Sequence, residues 1–316
     1  MQGYLIKRLL SIIPVLFIVS MVIFLIIHIT PGDPASTMLG DQATEEEVNK
    51  LREQMGLNLP IYQQYITWFL NIFQGDFGYS YFMDQPVLTA IIERLGPTVS
   101  LALLSEVIAI VIAIPIGIVA ATRRGTATDQ SIMGISLLGL SVPNFLLGLF
   151  LIIIFAINLG WFPVAGYKPL SEGLWPFLSH LILPATALGV IQVALIARMT
   201  RSAMIDVLNT NFIKASRAKG VKERKVIYKY ALRNAFIPIL TIIGQSFGSL
   251  IAGAVVTETV FNIPGIGQLI INSIERRDYT IIQGGVLFIT ISYVFINLVT
   301  DLLYGVIDPR VRLNKN

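Results

Sequence analysis

Residues 95–122 read LGPTVSLALLSEVIAIVIAIPIGIVAAT, and Glu106 is the only charged residue among them. A helix needs about 20 predominantly apolar residues to cross the hydrocarbon core of a bilayer, which is roughly 30 Å thick. The stretch is longer than that and therefore predicts a transmembrane helix. In lipid every backbone amide must be hydrogen-bonded within the protein, which excludes an isolated strand from this position.

Five further uncharged runs are long enough to span a bilayer: Leu9–Gly32, Gln130–Tyr167, Gly173–Ala197, Asn234–Thr257 and Tyr279–Thr300. Hydrophobic residues make up 54% of the chain and charged residues only 13%, against about 25% charged residues in soluble domains. Together these observations predict an all-α integral membrane protein. We expect a single domain over residues 1–316, built as a bundle of six transmembrane helices.

Lysine and arginine are concentrated in alternate connections between these runs, which predicts the orientation. Cytoplasmic loops are enriched in both residues. If the N-terminus is cytoplasmic, that side receives Lys7, Arg8, Arg123, Arg124, the stretch 198–233, Arg310, Arg312 and Lys315, which are most of the 23 basic residues. Both termini are therefore predicted to be cytoplasmic. The first run is too long for a signal peptide and lacks a small-residue cleavage pattern after it, so we expect it to be retained.

The segment between the first two runs, about residues 31–96, carries helix signals of its own. Thr44 and Glu47 form a capping box, and Pro60 and Pro86 can each open a further helix. The helix after Pro60 has an aromatic face consisting of Tyr62, Tyr65, Ile66, Phe69 and Phe73. These features predict an interfacial layer on the outer side, which is either a packed cap or part of a ligand route.

Residues that could perform catalysis are scarce. The chain has no cysteine and two histidines, and His28 and His180 lie far apart in sequence, so a metal site is not expected. No nucleophile elbow, zinc-protease pattern or Walker A loop is present. We expect that the chain is not an enzyme and binds no cofactor itself.

Five polar residues in or beside the apolar runs are candidates for lining a translocation path: Glu106, Asn144, Gln192, Gln245 and Glu258. A charge inside a membrane is costly unless it faces water or a partner, so Glu106 either faces a water-filled cavity or is protonated. The amides could instead form hydrogen bonds between helices. Both alternatives stay open at this point.

Residues 198–233, the basic segment, carry ten Lys or Arg and two acids, Asp206 and Glu223. They could form a solvated loop, a patch on anionic lipid or a docking element for a soluble partner. Docking is favoured by small or apolar residues at helical spacing, which give a helix a face to bury. These residues are Val207, Leu208, Phe212, Ala215 and Ala218. Gly220 is placed to end this helix.

Eight short motifs, spread over essentially the whole chain, resemble those of ABC-transporter importer permeases of the dipeptide/oligopeptide/nickel group. They are Pro31–Ala35, Met55–Pro60, Gly75–Gly78, Ser141–Phe145, Ala197–Ser202, Glu258–Gly267, Arg277–Tyr279 and Asp308–Arg310. The cytoplasmic signature of the family is an acid, two alanines, three variable residues and a glycine. Aligned on Gly220, this chain has Lys214 in place of the acid and Ser216 in place of the second alanine. Pro238 also follows later than in the general pattern.

The resemblance implies a type I ABC importer permease with six transmembrane helices, the first of a permease pair in a bacterial or archaeal cytoplasmic membrane. Its implied partners are a second homologous permease, two ATPase subunits that bind ATP and Mg²⁺, an extracytoplasmic solute-binding protein and the lipid bilayer, but no nucleic acid. The basic segment from about residue 198 to 235 is implied to couple to the ATPase. The coupling residues would be Lys214, Ala215, Ser216, Arg217, Ala218, Lys219 and Gly220.

The implied cargo is di- or oligopeptides, and the alternative is the same machinery importing nickel, glutathione or another small solute. A stand-alone secondary transporter is the hypothesis outside this class. It would predict inverted repeats and paired ionisable residues inside the membrane, and apart from Glu106 we find neither in the sequence.

Overall fold

The computed structural model describes residues 2–29, 33–39, 43–54 and 56–307. Pro31, Gly32, Met55 and residues 308–316, which include the motif Asp308–Arg310 and the basic residues Arg310, Arg312 and Lys315, lie outside that range. The helices are α1 (Gln2–Ile29), α2 (Pro34–Leu39), α3 (Glu45–Gln54), α4 (Ile61–Phe73), α5 (Val87–Thr122), α6 (Ala127–Ser141), α7 (Asn144–Leu151), α8 (Leu174–Leu208), α9 (Asn211–Ala218), α10 (Glu223–Lys225), α11 (Leu232–Val260), α12 (Ile266–Glu275) and α13 (Tyr279–Ile307). A two-stranded antiparallel ribbon pairs β1 (Tyr79–Ser80) with β2 (Gln85–Pro86), and a 3₁₀ turn covers Leu170–Glu172.

Four stretches of helix are long and apolar enough to cross a membrane: Val87–Thr122, Leu174–Leu208, Glu223–Val260 and Tyr279–Thr300. The bent pair α6 and α7 makes a fifth if it counts as one span. Within the described part of α1, the apolar stretch Ile12–Leu25 is shorter. The predicted mostly helical membrane fold is confirmed, whereas the six-span count and the side on which the termini lie stay predictions.

The run Gln130–Tyr167 does not form one straight helix. α6 ends at Ser141, and the chain bends by 100° before α7 begins at Asn144. Pro143 lacks a donor N–H and disfavours helical backbone in the residue before it, and Val142 is accordingly extended at φ −89° and ψ 123°. The run was predicted to be one span, and Pro143 separates two helices within it. After Leu151 the helix continues as π-helix over Ile152–Asn158.

Two compact units divide the chain. The first comprises Met1–Thr98 and Pro264–Val294. In it α4 packs on α1 through aromatic rings, with Tyr65 lying 5.3 Å from Phe24 and 6.2 Å from Phe17 between ring centroids. The predicted capping box is confirmed, because the Thr44 N–H donates to Glu47 Oε2 (2.9 Å) and the Glu47 N–H donates to Thr44 Oγ1 (3.3 Å).

One helix is longer than the sequence predicts, and a further helix lies before α13. The helix that Pro86 opens was expected to be separate from the following span, but α5 runs unbroken from Val87 to Thr122. The connection between α11 and α13 contains the helix α12 (Ile266–Glu275). α12 forms because its apolar residues recur at helical spacing, so that Ile266, Leu269 and Ile270 are buried against Val87 and Ile91.

The second unit comprises Val99–Ile263 and Phe295–Asn316. Its central helix is α8, whose residues Ile196 and Ala197 are fully buried against Ala109 and Ala113 of α5. Glycines permit this close contact. A Cβ on Gly189 would lie 2.9 Å from the backbone oxygen of Ser105, a distance at which no side chain fits.

Candidate functional site

The basic segment folds as the end of α8, the short helix α9 and the start of the long helix that leads into α11. α9 is anchored from one side only. Ile213 is fully buried and Ser216 is 8% exposed, and the Ser216 hydroxyl donates to the Phe212 carbonyl at 2.9 Å. Ser216 therefore faces its own bundle, although it was predicted to couple to the ATPase together with its neighbours.

The opposite face of α9 is exposed. Phe212 is 55% exposed, and the other exposed residues in α9 and just after it are Asn211, Lys214, Ala215, Arg217, Ala218, Lys219 and Gly220. Phe212, Ala215 and Ala218 recur every three residues and so lie along one side of the helix. A face of one ring and two small side chains lets another protein approach the helix backbone closely. Six of the seven predicted coupling residues are thus accessible.

Gly220 ends α9 in a Schellman motif, as predicted. Its φ is +76°, a left-handed conformation that glycine adopts without strain. The Gly220 N–H donates to the Arg217 carbonyl at 2.9 Å, and the Val221 N–H donates to the Ser216 carbonyl at 3.3 Å. These bonds satisfy carbonyls at the helix end and fix the direction in which the chain leaves.

A cluster of positive charge follows α9. Arg217 binds Glu223 through both carboxylate oxygens, at 3.1 Å and 2.6 Å, and this hydrogen bonding raises the pKa of the Arg217 guanidinium above its ordinary value. A recess beyond the pair is lined mainly by cationic residues: Lys219, Lys222, Arg224, Lys225 and Lys229. Such a surface complements an acidic partner and steers its approach.

Buried apolar side chains connect α9 to the ends of the long helices. Ile213 packs in a cluster that also contains residues of α5, α8, the π-helix Val226–Ala231 and α11. The other buried members are Ile118, Ala121, Ala203, Met204, Val226, Ala231, Ala235 and Ile239. Because protein interiors are close-packed and transmit strain, a displacement of α9 displaces these helix ends with it.

Two of the predicted path residues are enclosed within the second unit and hydrogen-bonded to side chains of α11. Glu106 is 5% exposed and accepts a hydrogen bond from the Ser246 hydroxyl at 2.7 Å. Gln192 is 6% exposed, and its Nε2 donates to the Ser249 hydroxyl at 3.0 Å. Glu106 Oε2 and Gln192 Oε1 are buried and receive no hydrogen bond from the described residues. Both bonds lead to one helix, α11.

The remaining three path candidates have different surroundings. Gln245 is exposed on α11, one turn before the exposed Ser249. Asn144 is half-buried at the first position of α7, directly after the bend. Glu258 is fully buried near the end of α11. The structure therefore places Gln245 at the surface of the subunit, Asn144 partly there and Glu258 inside.

The two histidines have ordinary structural contacts. The Nδ1 of His180 lies 2.7 Å from the Pro176 carbonyl, and the Nε2 of His28 lies 3.2 Å from Gln64 Oε1. Within the described ranges, no group of three or more His, Cys, Asp or Glu side chains is placed to hold a metal ion.

Sequence reasoning missed an ion pair between the start of the basic segment and α6. Arg201 of α8 binds Asp129 of α6 through two hydrogen bonds, Nε to Oδ1 at 2.6 Å and Nη2 to Oδ2 at 2.7 Å. Two sequence signals bear on it: Arg201 lies within the motif Ala197–Ser202, and an acid stands in the first turn of α6, where the helix dipole alone favours it. Neither signal identifies a partner 72 residues away.

Family models match the chain over most of its length. The model described as binding-protein-dependent transport system inner membrane component matches residues 113–313. A second model, for the N-terminal part of membrane components of such transport systems, matches residues 1–102. The two matches leave only a short internal stretch and the last residues uncovered.

Relatives over the full length are permeases. A probable peptide ABC transporter permease of Sinorhizobium fredii is 43% identical, over 99% of this chain and 100% of the relative. The glutathione transport system permease GsiC of Escherichia coli strain K12 is 42% identical, over 99% of each chain.

A solved structure has a similar fold. It is an inward-facing form of the MetNI methionine ABC transporter, which matches with a TM-score of 0.58 at 19% identity and covers 70% of this chain and 97% of the matched chain. The family models and the full-length relatives show that the chain belongs to the family of binding-protein-dependent transport system inner membrane components, and it is a transmembrane permease subunit of a binding-protein-dependent ABC importer.

Proposed function

We propose that the chain forms half of a translocation path for di- or oligopeptides and that α9 couples this path to ATP hydrolysis on partner subunits. The exposed face of Phe212, Ala215 and Ala218 carries the proposal. On the opposite side of the same helix, Ile213 is fully buried in the cluster that holds the ends of α5, α8 and α11. A partner bound to the exposed face therefore acts directly on the helices of the path.

In the proposed assembly the chain is the first permease of a pair. The second permease is homologous, and two ATPase subunits bind ATP and Mg²⁺ and each receive one coupling helix. An extracytoplasmic solute-binding protein delivers the cargo. The family membership supports ATPase and solute-binding partners, and the basic recess next to α9 fits acidic groups on an ATPase. This chain binds no cofactor and no nucleic acid in the proposal, and it is no enzyme.

The proposed topology has six spans in a bacterial or archaeal cytoplasmic membrane, with both termini in the cytoplasm. It counts α1 and the bent pair α6–α7 as one span each, together with the four long apolar helices. The basic segment lies in the cytoplasm in this arrangement, as its ten Lys and Arg require.

Peptides are the proposed cargo because several full-length relatives carry names of peptide permeases. Glutathione, itself a small peptide, is the cargo named for another relative. The test is uptake by the complete importer in liposomes, with labelled dipeptides and oligopeptides and with glutathione and Ni²⁺ as competitors. Saturable, ATP-dependent peptide uptake is expected, and uptake that only Ni²⁺ inhibits contradicts the peptide assignment.

We further propose that α11 presents the path surface, with Gln245 and Ser249 at its exposed side and Asn144 at the bend of α6–α7. Gln192 and Glu106 support that surface from behind through Ser249 and Ser246, and Glu258 does so near the end of α11. Exposed amide and hydroxyl groups suit a wet path, since lipid-facing positions favour apolar side chains.

Replacing Glu106 by glutamine tests whether its charge matters. The amide oxygen keeps the hydrogen bond from Ser246, so we expect normal insertion and stability. Peptide uptake should fall several-fold and its pH dependence should change, because an ionisable group beside the path is lost. The measurement is uptake by the reconstituted importer across about pH 5–8, the range in which folded proteins are typically most stable.

The matched control is Glu93→Gln, the same replacement at an exposed position on the same helix α5. It should leave uptake and its pH dependence as in the wild type. If Glu106→Gln behaves like this control, Glu106 has no part in the path.

A further inference from the structure

The ion pair between Asp129 and Arg201 has a buried carboxylate whose two oxygens are both hydrogen-bonded. Asp129 is 3% exposed and accepts three hydrogen bonds, two from Arg201 at 2.6 Å and 2.7 Å and one from the Gly125 N–H at 2.9 Å. The Arg201 side chain is 28% exposed. Two parallel bonds between a guanidinium and a carboxylate fix the orientation of both groups.

The pair joins two helices that the neighbouring apolar cluster does not join. That cluster, which contains Ile213 of α9, draws its buried and half-buried members from α5, α8, α9, α11 and the chain between α9 and α11. Among the described residues, α6 contributes none. Arg201 lies on α8 two residues before Ala203 of the cluster, and Asp129 lies in the first turn of α6.

α6 leads from this pair to the bend. At its far end the chain turns by 100° between Ser141 and Asn144, where α7 begins. A movement of the end of α6 is therefore carried along a helix towards Asn144, which we place beside the path. The Gly125 N–H also ties the turn between α5 and α6 to the same carboxylate.

We propose that Asp129 and Arg201 are positioning residues through which movement of the α9-containing cluster reaches the bent helix pair α6–α7. This inference rests on the proposed coupling role of α9. The pair transmits displacement because its two bonds hold α6 to α8 in a fixed orientation. Lysine cannot replace arginine here, since a single ammonium group does not bind both carboxylate oxygens in that geometry.

The test compares Arg201→Lys and Asp129→Asn with the wild type in the complete importer. Two quantities are measured on each sample, namely ATPase subunits that co-purify and peptide transported per ATP hydrolysed. Co-purification and hydrolysis should be retained, while peptide transported per ATP should fall at least about 5-fold, the lower end of typical coupling between sites. An unchanged ratio in both variants overturns the inference.

The matched control is Arg52→Lys, which weakens a pair of similar chemistry in the first unit, where Arg52 Nη2 lies 2.9 Å from Asp33 Oδ2. This variant should keep the wild-type ratio of transport to hydrolysis. If it lowers the ratio as much as Arg201→Lys does, the effect is not specific to the connection between α6 and α8, and the inference fails.

A covalent replacement separates a mechanical role from a folding role. The chain contains no cysteine, so Asp129→Cys combined with Arg201→Cys gives two unique thiols that a short bifunctional thiol reagent can join. Joining them should restore peptide transport per ATP, whereas modification by a monofunctional reagent should not. Failure of the cross-link to restore the ratio overturns the inference.

The two proposals fail in distinguishable ways. If the wild-type chain, expressed together with its paired permease, does not co-purify with ATPase subunits, the proposed coupling function is wrong. If the wild type does co-purify but Arg201→Lys does not, the pair shapes the docking surface and does not transmit movement, so this inference alone is overturned.

Discussion

Replacing Ala215 by glutamate is expected to separate the permease from its ATPase while leaving the membrane bundle folded. Ala215 lies between Phe212 and Ala218 on the exposed face of α9. A longer charged side chain there keeps another protein away from the helix backbone and adds a charge that must be desolvated in the interface. We expect residue 215 to behave as a hot spot near the centre of the interface, where disruption costs about 2 kcal/mol or more, so binding should weaken at least about 30-fold.

The measurement is co-purification of ATPase subunits with the tagged permease in the complete importer, followed by peptide uptake in liposomes. Ala215→Ser is the matched control, because serine keeps the small volume at the same position and should retain the ATPase. Thermal unfolding of the permease alone should be equal for both variants, since residue 215 points away from the buried cluster. Undiminished co-purification of Ala215→Glu would contradict the docking role of α9.

Replacing Gly117 by valine is expected to have the largest effect on stability. A Cβ on Gly117 would lie 2.6 Å from Thr200 Cβ and 2.8 Å from the Ala197 carbonyl oxygen. Because the carbonyl belongs to the backbone of α8, it cannot turn aside as a side chain can. Overpacking of a tight core costs about 1–3 kcal/mol and occasionally more, and here α5 must move away from α8.

We expect Gly117→Val to lower the unfolding temperature in detergent by several degrees and to reduce the yield of monodisperse protein. Gly134→Val, in the middle of α6, is the control, because a Cβ there meets nothing within 4 Å. The two replacements share the same change in helix propensity. Equal unfolding temperatures for the two variants would show that α5 and α8 are not packed as closely as the structure has them.

The uncharged runs predicted most of the long helices, because length and lack of charge are properties of the sequence alone. They did not predict how the helices are joined or bent. Pro143 could kink a helix or separate two, and the sequence alone does not predict the 100° turn that the chain makes there. Likewise Pro86 correctly marked the start of a helix, but nothing in the sequence required α5 to continue unbroken to Thr122.

Within the basic segment, helical periodicity predicted the exposed face of α9, and glycine chemistry predicted its end. Periodicity could not tell that Ser216 points inward, because a small polar residue is compatible with either side of a helix. The ion pair between Asp129 and Arg201 could not be predicted from the sequence for another reason. Its members are far apart in sequence, and only the packing of α6 on α8 brings Arg201 Nε to 2.6 Å from Asp129 Oδ1.

The shortness of α9 has a consequence for how the importer assembles. Its eight residues form a rod of about 12 Å, whose exposed side is far smaller than the roughly 800 Å² per partner of a standard protein interface. One such helix binds an ATPase only weakly. Two such helices, one from each permease of the proposed pair, bind a joined pair of ATPases more tightly through avidity. A lone permease should therefore bind its ATPase poorly, and stable capture should require the paired membrane subunits.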